Sequence, residues 1–146
     1  MLQSSVSEVW DYLEERFGVS REDLKGFRIE EIAGDYWLIS RDLETDYETK
    51  TRGIRFVRRT GRGLKPTTYG IQFLGDRIDR NIVELEEDEI EGMLMRTGMP
   101  GRDMDEKGYV ALKFRGKMLG CGFYMDEKVS SRIPKGRAKE LAQIIL

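Results

Sequence analysis

The 146-residue sequence contains no histidine and a single cysteine, Cys121. Without histidine, neither a Ser-His-Asp nor a Cys-His nucleophile can be assembled. A lone cysteine supports neither a disulfide framework nor a Cys/His zinc site. An enzyme built on this chain would have to work with carboxylates, lysines or tyrosines, and no pair of carboxylates is singled out by a motif. No apolar run approaches the length that crosses a bilayer. The opening "MLQSSVSEVWDYLEERF" carries acidic residues where a signal peptide has a basic start and an apolar stretch. These absences lead to the expectation of a cytoplasmic protein that is not an enzyme and has no metal, cofactor or membrane partner.

What is present is charge of both signs. Charged residues make up 36% of the chain and hydrophobic residues 39%, polar for a globular protein yet apolar enough to build a core. The length suits one or two compact units. The net charge of −2 hides a segregation along the chain. Residues 50–83 hold 9 basic and 2 acidic side chains, and residues 108–146 hold 8 basic and 3 acidic, with acidic blocks before and between them. Either the blocks neutralise one another across the fold, or the two basic ones converge on one face as an anion-binding surface suited to a nucleic-acid backbone.

Local patterns sketch the elements. Val6, Val9, Trp10, Leu13 and Phe17 follow a helical spacing that Gly18 stops, and Ser20 before "REDL" predicts a capped second turn of helix. "FRIEEIA" and "YWLISRD" read as strands around Gly34-Asp35. Adjacent aromatics in a strand such as Tyr36 and Trp37 send one member into the core, which argues against a base-stacking platform there. Residues 40–53 read as a connecting loop. "IRFVRR" reads as a strand, with Ile54, Phe56 and Arg58 on one side and Arg55, Val57 and Arg59 on the other. "TGRGLKP" reads as a Gly-rich turn leading to a helix "TTYGIQFLGDRI" capped by Thr67 or Thr68, a physically sensible anion site. It lacks P-loop spacing. "NIVEL" predicts a strand and "EEDEIEGMLMRTG" a helix whose acidic first turn complements the dipole. "MPGRDMDEKG" reads as a loop. The remainder reads as two strands around Arg115-Gly116, a turn at Asp126-Glu127, a short strand and a last helix.

The pattern "GYVALKFRGKMLGCGFY...SSRIPKGRAKEL", with "RGIRFVRRTGRGLKPTTYGIQFLG" and "NIVEL" upstream, resembles the PUA-like region at the C-terminus of archaeal RNA cytosine-5 methyltransferases of the Sun/Nop family. The resemblance covers roughly residues 35 to 141. It implies an α+β fold in which a small N-terminal α+β lobe, residues 1–78, precedes a PUA-like β pseudobarrel, residues 79–146. It also implies RNA binding beside an enzyme that modifies tRNA or rRNA. The chain has no Rossmann-type Gly-rich turn for S-adenosylmethionine. Cys121, inside "LGCGFY", does not match the family's catalytic cysteine motifs and reads as a packed strand residue.

The expected function is therefore non-catalytic recognition of structured RNA, tRNA or rRNA, with an RNA-modifying enzyme as a further partner. The alternative is a protein-interaction module docked on an RNA methyltransferase. The expected RNA-binding residues are Arg52, Arg55, Arg58, Arg59, Arg62 and Lys65, with Tyr69 as a stacking partner. From the terminal basic motif that the resemblance matches come Arg132, Lys135 and Arg137, with Lys139 a weaker candidate on a solvated helix face.

Overall fold

In the computed structural model, which describes residues 2–41 and 53–146 with side chains from Val6 onward, the helical spacing near the N-terminus becomes helix α1, Leu2–Phe17. Val9, Trp10, Leu13 and Phe17 are its buried stripe. Gly18 ends it with φ +72°, and a Cβ at Gly18 would overlap the Asp79 carboxylate. Ser20 then caps a single 3-10 turn, Arg21–Leu24, reciprocally: its hydroxyl accepts from the Asp23 N–H, and the Asp23 carboxylate accepts from the Ser20 N–H at 2.9 Å.

The chain divides into two compact α+β units, residues 1–80 and 81–146. The first unit carries a four-stranded antiparallel meander: β1 Phe27–Ile32, β2 Asp35–Ser40, β3 Ile54–Thr60 and β4 Gly63–Pro66, paired in that order. Residues 63–66, read from sequence as part of a turn, are a strand. Their backbone gains a full ladder against β3, from Val57 opposite Pro66 to Thr60 opposite Gly63, so only Gly61 and Arg62 remain as the turn. Pro66 is tolerated because β4 is an edge strand.

Helix α2, Thr68–Leu74, is shorter than the periodicity predicts. Gly75, at φ +52°, ends it, and a 3-10 turn at Gly75–Arg77 follows. Thr67 caps it by accepting the Gly70 N–H at 2.9 Å while its own N–H donates to the Phe56 carbonyl. Of the N–H groups at the helix N-terminus, where the sequence suggests an anion site, that of Gly70 is taken by this cap. Gly70 is required where α2 crosses β3, since a Cβ there would come within 2.7 Å of the Phe56 carbonyl oxygen. The Asp79 N–H donates to the Phe17 carbonyl, and an Arg80 guanidinium N–H donates to the Glu15 carbonyl, tying the end of this unit to α1.

The second unit has a mixed sheet in the order β5 Ile82–Glu84, β6 Gly108–Phe114, β7 Lys117–Met125 and β8 Lys128–Ser131, with β5 parallel to β6 and the rest antiparallel. Helices α3, Ile90–Met95, and α4, Lys135–Ile145, complete it. Its core gathers Val110, Leu112 and Phe114 of β6, Tyr124 of β7, Val129 of β8, Ile133, and Leu94 and Leu141 of the two helices. Gly122 is needed on this face because a Cβ would meet the Leu112 side chain at 2.8 Å.

Arg102 fixes the long connection between α3 and β6. Its two terminal nitrogens donate to both oxygens of Glu89, at 2.9 and 2.7 Å, and to the carbonyls of Gly101 and Glu84. The Tyr124 hydroxyl accepts from the Met104 N–H and donates to the Arg102 carbonyl. The acidic run before α3 is thus partly structural. Hydrogen bonds from Arg102 hold the Glu89 carboxyl below its ordinary value. A depressed carboxylate stabilises the fold fully above its unfolded value, and the contribution disappears as pH falls through the folded value. Acid titration of stability should therefore show a loss below about pH 4.5. Glu89→Gln should flatten that loss while lowering stability at neutral pH, as followed by urea denaturation at each pH.

Candidate functional site

The basic strand β3 does not alternate as its sequence suggests. Its register against β2 slips between Tyr36 and Trp37: Val57 lies opposite Tyr36, but Arg55 lies opposite Trp37, leaving Phe56 as an extra residue. The slip moves Arg55 to the other face. Arg55 and Arg58, expected on opposite sides, thereby share the face that carries Asp35 and Trp37. Both reach one carboxylate, with Arg58 Nε at 3.0 Å from Asp35 Oδ1 and Arg55 Nε at 3.3 Å from Asp35 Oδ2. The same register brings Lys65 of β4 directly opposite Arg58 and Glu30 of β1 directly opposite Trp37.

The aromatic pair divides as the sequence implies. Tyr36 is fully buried, whereas Trp37 is half-buried on the opposite face, with the Arg55 guanidinium 5.7 Å from its ring centroid. Glu30 is already occupied by Arg28, at 2.8 Å. Asp35 is the carboxylate set against three cations, Arg55, Arg58 and Lys65, so the patch is net positive. The side chains of Arg55 and Arg58 remain half exposed, at 51% and 52%.

Arg59 belongs to the other face. It donates to the Tyr36 hydroxyl at 3.2 Å and to Glu8 of α1 at 3.1 Å, and its guanidinium lies over the Tyr36 ring. The Tyr36 hydrogen bond, aided by the Glu8 charge, holds its pKa above the ordinary arginine value despite partial desolvation. Arg62 is exposed at the β3–β4 turn, and Tyr69 projects from α2 with about half of its surface exposed. Arg52 lies outside the described residues.

In the second unit, Arg132 follows β8, donates to the Ser130 hydroxyl at 3.0 Å and rests 5.2 Å from the Phe123 ring centroid. Phe123 packs edge-on against Tyr109, directly opposite it in the sheet. Lys135, at the start of α4, and Lys139 rim an open groove of about 930 Å³ between α3 and α4, lined also by Leu94, Met95, Ala138 and Leu146. Arg137 is turned inward and paired with Glu140 at 3.1 Å. Cys121 is buried within β7. Among the described residues, no helix is long and apolar enough to cross a membrane.

The roles of neighbouring arginines in β3 therefore separate. Arg59→Ala should lower unfolding free energy by about 0.5–1 kcal/mol, since it cuts a helix-to-sheet tie that is still partly screened by solvent. Arg58→Ala, on the open face, should change it by no more than about 0.5 kcal/mol. Urea unfolding of the two variants in parallel checks the difference.

No protein-family model matches the chain. The chain is similar to the ribosomal RNA small subunit methyltransferase F of Psychromonas ingrahamii, at 24% identity over 137 residues. The alignment covers 87% of this chain and 27% of that protein, so the likeness is to one segment of a much longer relative.

Proposed function

We propose that this chain is a non-catalytic RNA-binding protein that recognises structured RNA, tRNA or rRNA, beside an enzyme that modifies it. The observation that carries this reading is the alignment of Arg55, Arg58 and Lys65 on one sheet face beside Trp37, an arrangement suited to successive phosphates of a nucleic-acid backbone. The similarity to a segment of a ribosomal RNA methyltransferase supports an association with RNA. On this reading the second unit is a PUA-like domain, and its mixed sheet with two flanking helices supports that assignment without a closed barrel being seen. Arg62 and Tyr69 extend the basic group of the first unit, and Arg132 and Lys135 form a separate one in the second, whereas the ties of Arg59 to Tyr36 and Glu8 make it a support of the fold and Arg137 is paired with Glu140.

The groove beside α4 favours a second reading, docking on an RNA methyltransferase, because Met95 exposes an apolar side chain there between basic residues. Binding to total tRNA and to a small-subunit rRNA fragment separates the two. The wild-type chain should bind at micromolar concentrations in low salt and weaken steeply as salt rises. The triple substitution Arg55→Gln, Arg58→Gln, Lys65→Gln, which removes the positive charge without setting new carboxylates against Asp35, should abolish retention of both RNAs, with the thermal unfolding midpoint followed alongside. Equal retention by the triple variant would contradict the surface. No retention by the wild type would leave the docking reading.

A further inference from the structure

We infer that the face of the first sheet carrying Asp35 and Trp37 holds one unpaired nucleotide, its base against the Trp37 ring and its phosphate between Arg55 and Arg58. The inference rests on the RNA-binding reading and narrows it to single-stranded segments.

The geometry of the two arginines comes first. Asp35 approaches each of them most closely at Nε, at 3.3 and 3.0 Å, and its own side chain is only 17% exposed. Among the described residues no hydrogen bond is seen from the terminal nitrogens of either guanidinium. Those nitrogens are the donors that grip phosphate oxygens two at a time. One carboxylate thus fixes two long side chains whose disorder would otherwise oppose binding, and leaves their outer donors for an anion. Lys65, opposite Arg58, adds charge to the same side.

The ring supplies the second half of the site. Trp37 stands one strand position from Asp35 on this face and directly opposite Arg55, so base and phosphate of a single nucleotide find their partners on adjacent strands. Arg55 lies 5.7 Å from the ring centroid, near the outer limit of a cation–π contact, and so covers the ring loosely. A half-buried ring set between Arg55 on one side and the Arg28–Glu30 pair on the other serves a base that has left its duplex, since a base stacked within a duplex offers no free π-face. Duplex recognition would need the cations and have no use for the indole.

The test uses the full chain, a short single-stranded oligoadenylate and the structured RNAs that the wild type retains. Trp10 is 8% exposed, so quenching of tryptophan emission on titration reports Trp37. The oligonucleotide should quench the wild type, and Trp37→Ala should weaken its binding about tenfold, with a smaller loss for structured RNA, whose phosphates still meet the cations. Trp37→Phe keeps an aromatic face and should recover most of that loss, which guards against a merely unfolded variant. Asp35→Asn provides the sharper arm. Removing a negative charge from a phosphate site would tighten binding if only net charge mattered; loss of the anchor that positions both arginines should instead weaken it several-fold. Unchanged oligonucleotide binding in Trp37→Ala, or tightening in Asp35→Asn, would overturn this site and leave the RNA-binding reading intact wherever structured RNA is still retained. Failure to bind either kind of RNA would overturn both.

Discussion

The extra residue at Phe56 is the constraint on which the character of the first sheet depends. A strand with strict alternation would place Arg55 with Arg59 and oppose both to Arg58, dividing the positive charge between two faces. The bulge changes the parity. Phe56 and Val57 are both buried, while Arg55 joins Arg58 on the face of Asp35 and Trp37. One inserted residue thereby satisfies a core and gathers a cationic patch, in keeping with the use of bulges to re-aim side chains beside functional sites.

The same strand shows how a run of arginines splits into different duties. Arg59 is two residues beyond Val57, on the core side, and finds the Tyr36 hydroxyl and Glu8. Its neighbour Arg58 finds a carboxylate and open solvent. The second unit repeats the division: Arg102 ties the connection between α3 and β6 to Glu89 and to β5, and Arg137 turns toward Glu140, whereas Arg132 lies along Phe123 with its charge outward. Positive charge in this chain is therefore partly structural and partly available, and segment-level charge alone does not separate the two.

Much of the fold was legible in the sequence because local signals agreed. The spacing of Val9, Leu13 and Phe17, the cap at Ser20 and the strands around Arg115-Gly116 each mark an element that is present, and the turn expected at Gly34-Asp35 forms one residue earlier, at Ala33-Gly34. Tyr36 went to the core and Trp37 to the other face, as expected of adjacent aromatics in a strand. Three features escaped because they are set by partners distant in sequence. Gly63–Pro66 is a strand only because β3 offers it a ladder, the bulge appears only in the pairing with β2, and the ties of Arg102 depend on a loop closing against β5. The site was legible as a group of residue types, Arg55, Arg58 and Lys65 among them. Its geometry was not, and neither was the contribution of Asp35 and Trp37, since no periodicity places those two beside Arg55 and Arg58.

The central claim is that RNA lies across the Asp35 and Trp37 face of the first sheet. Ultraviolet cross-linking of the full chain to a bound tRNA or rRNA fragment, with the attached peptides located by mass spectrometry, addresses it directly. The account places the cross-links on residues 35–37 and 55–65. Cross-links confined to residues 84–107, in the acidic part of the second unit, would contradict it.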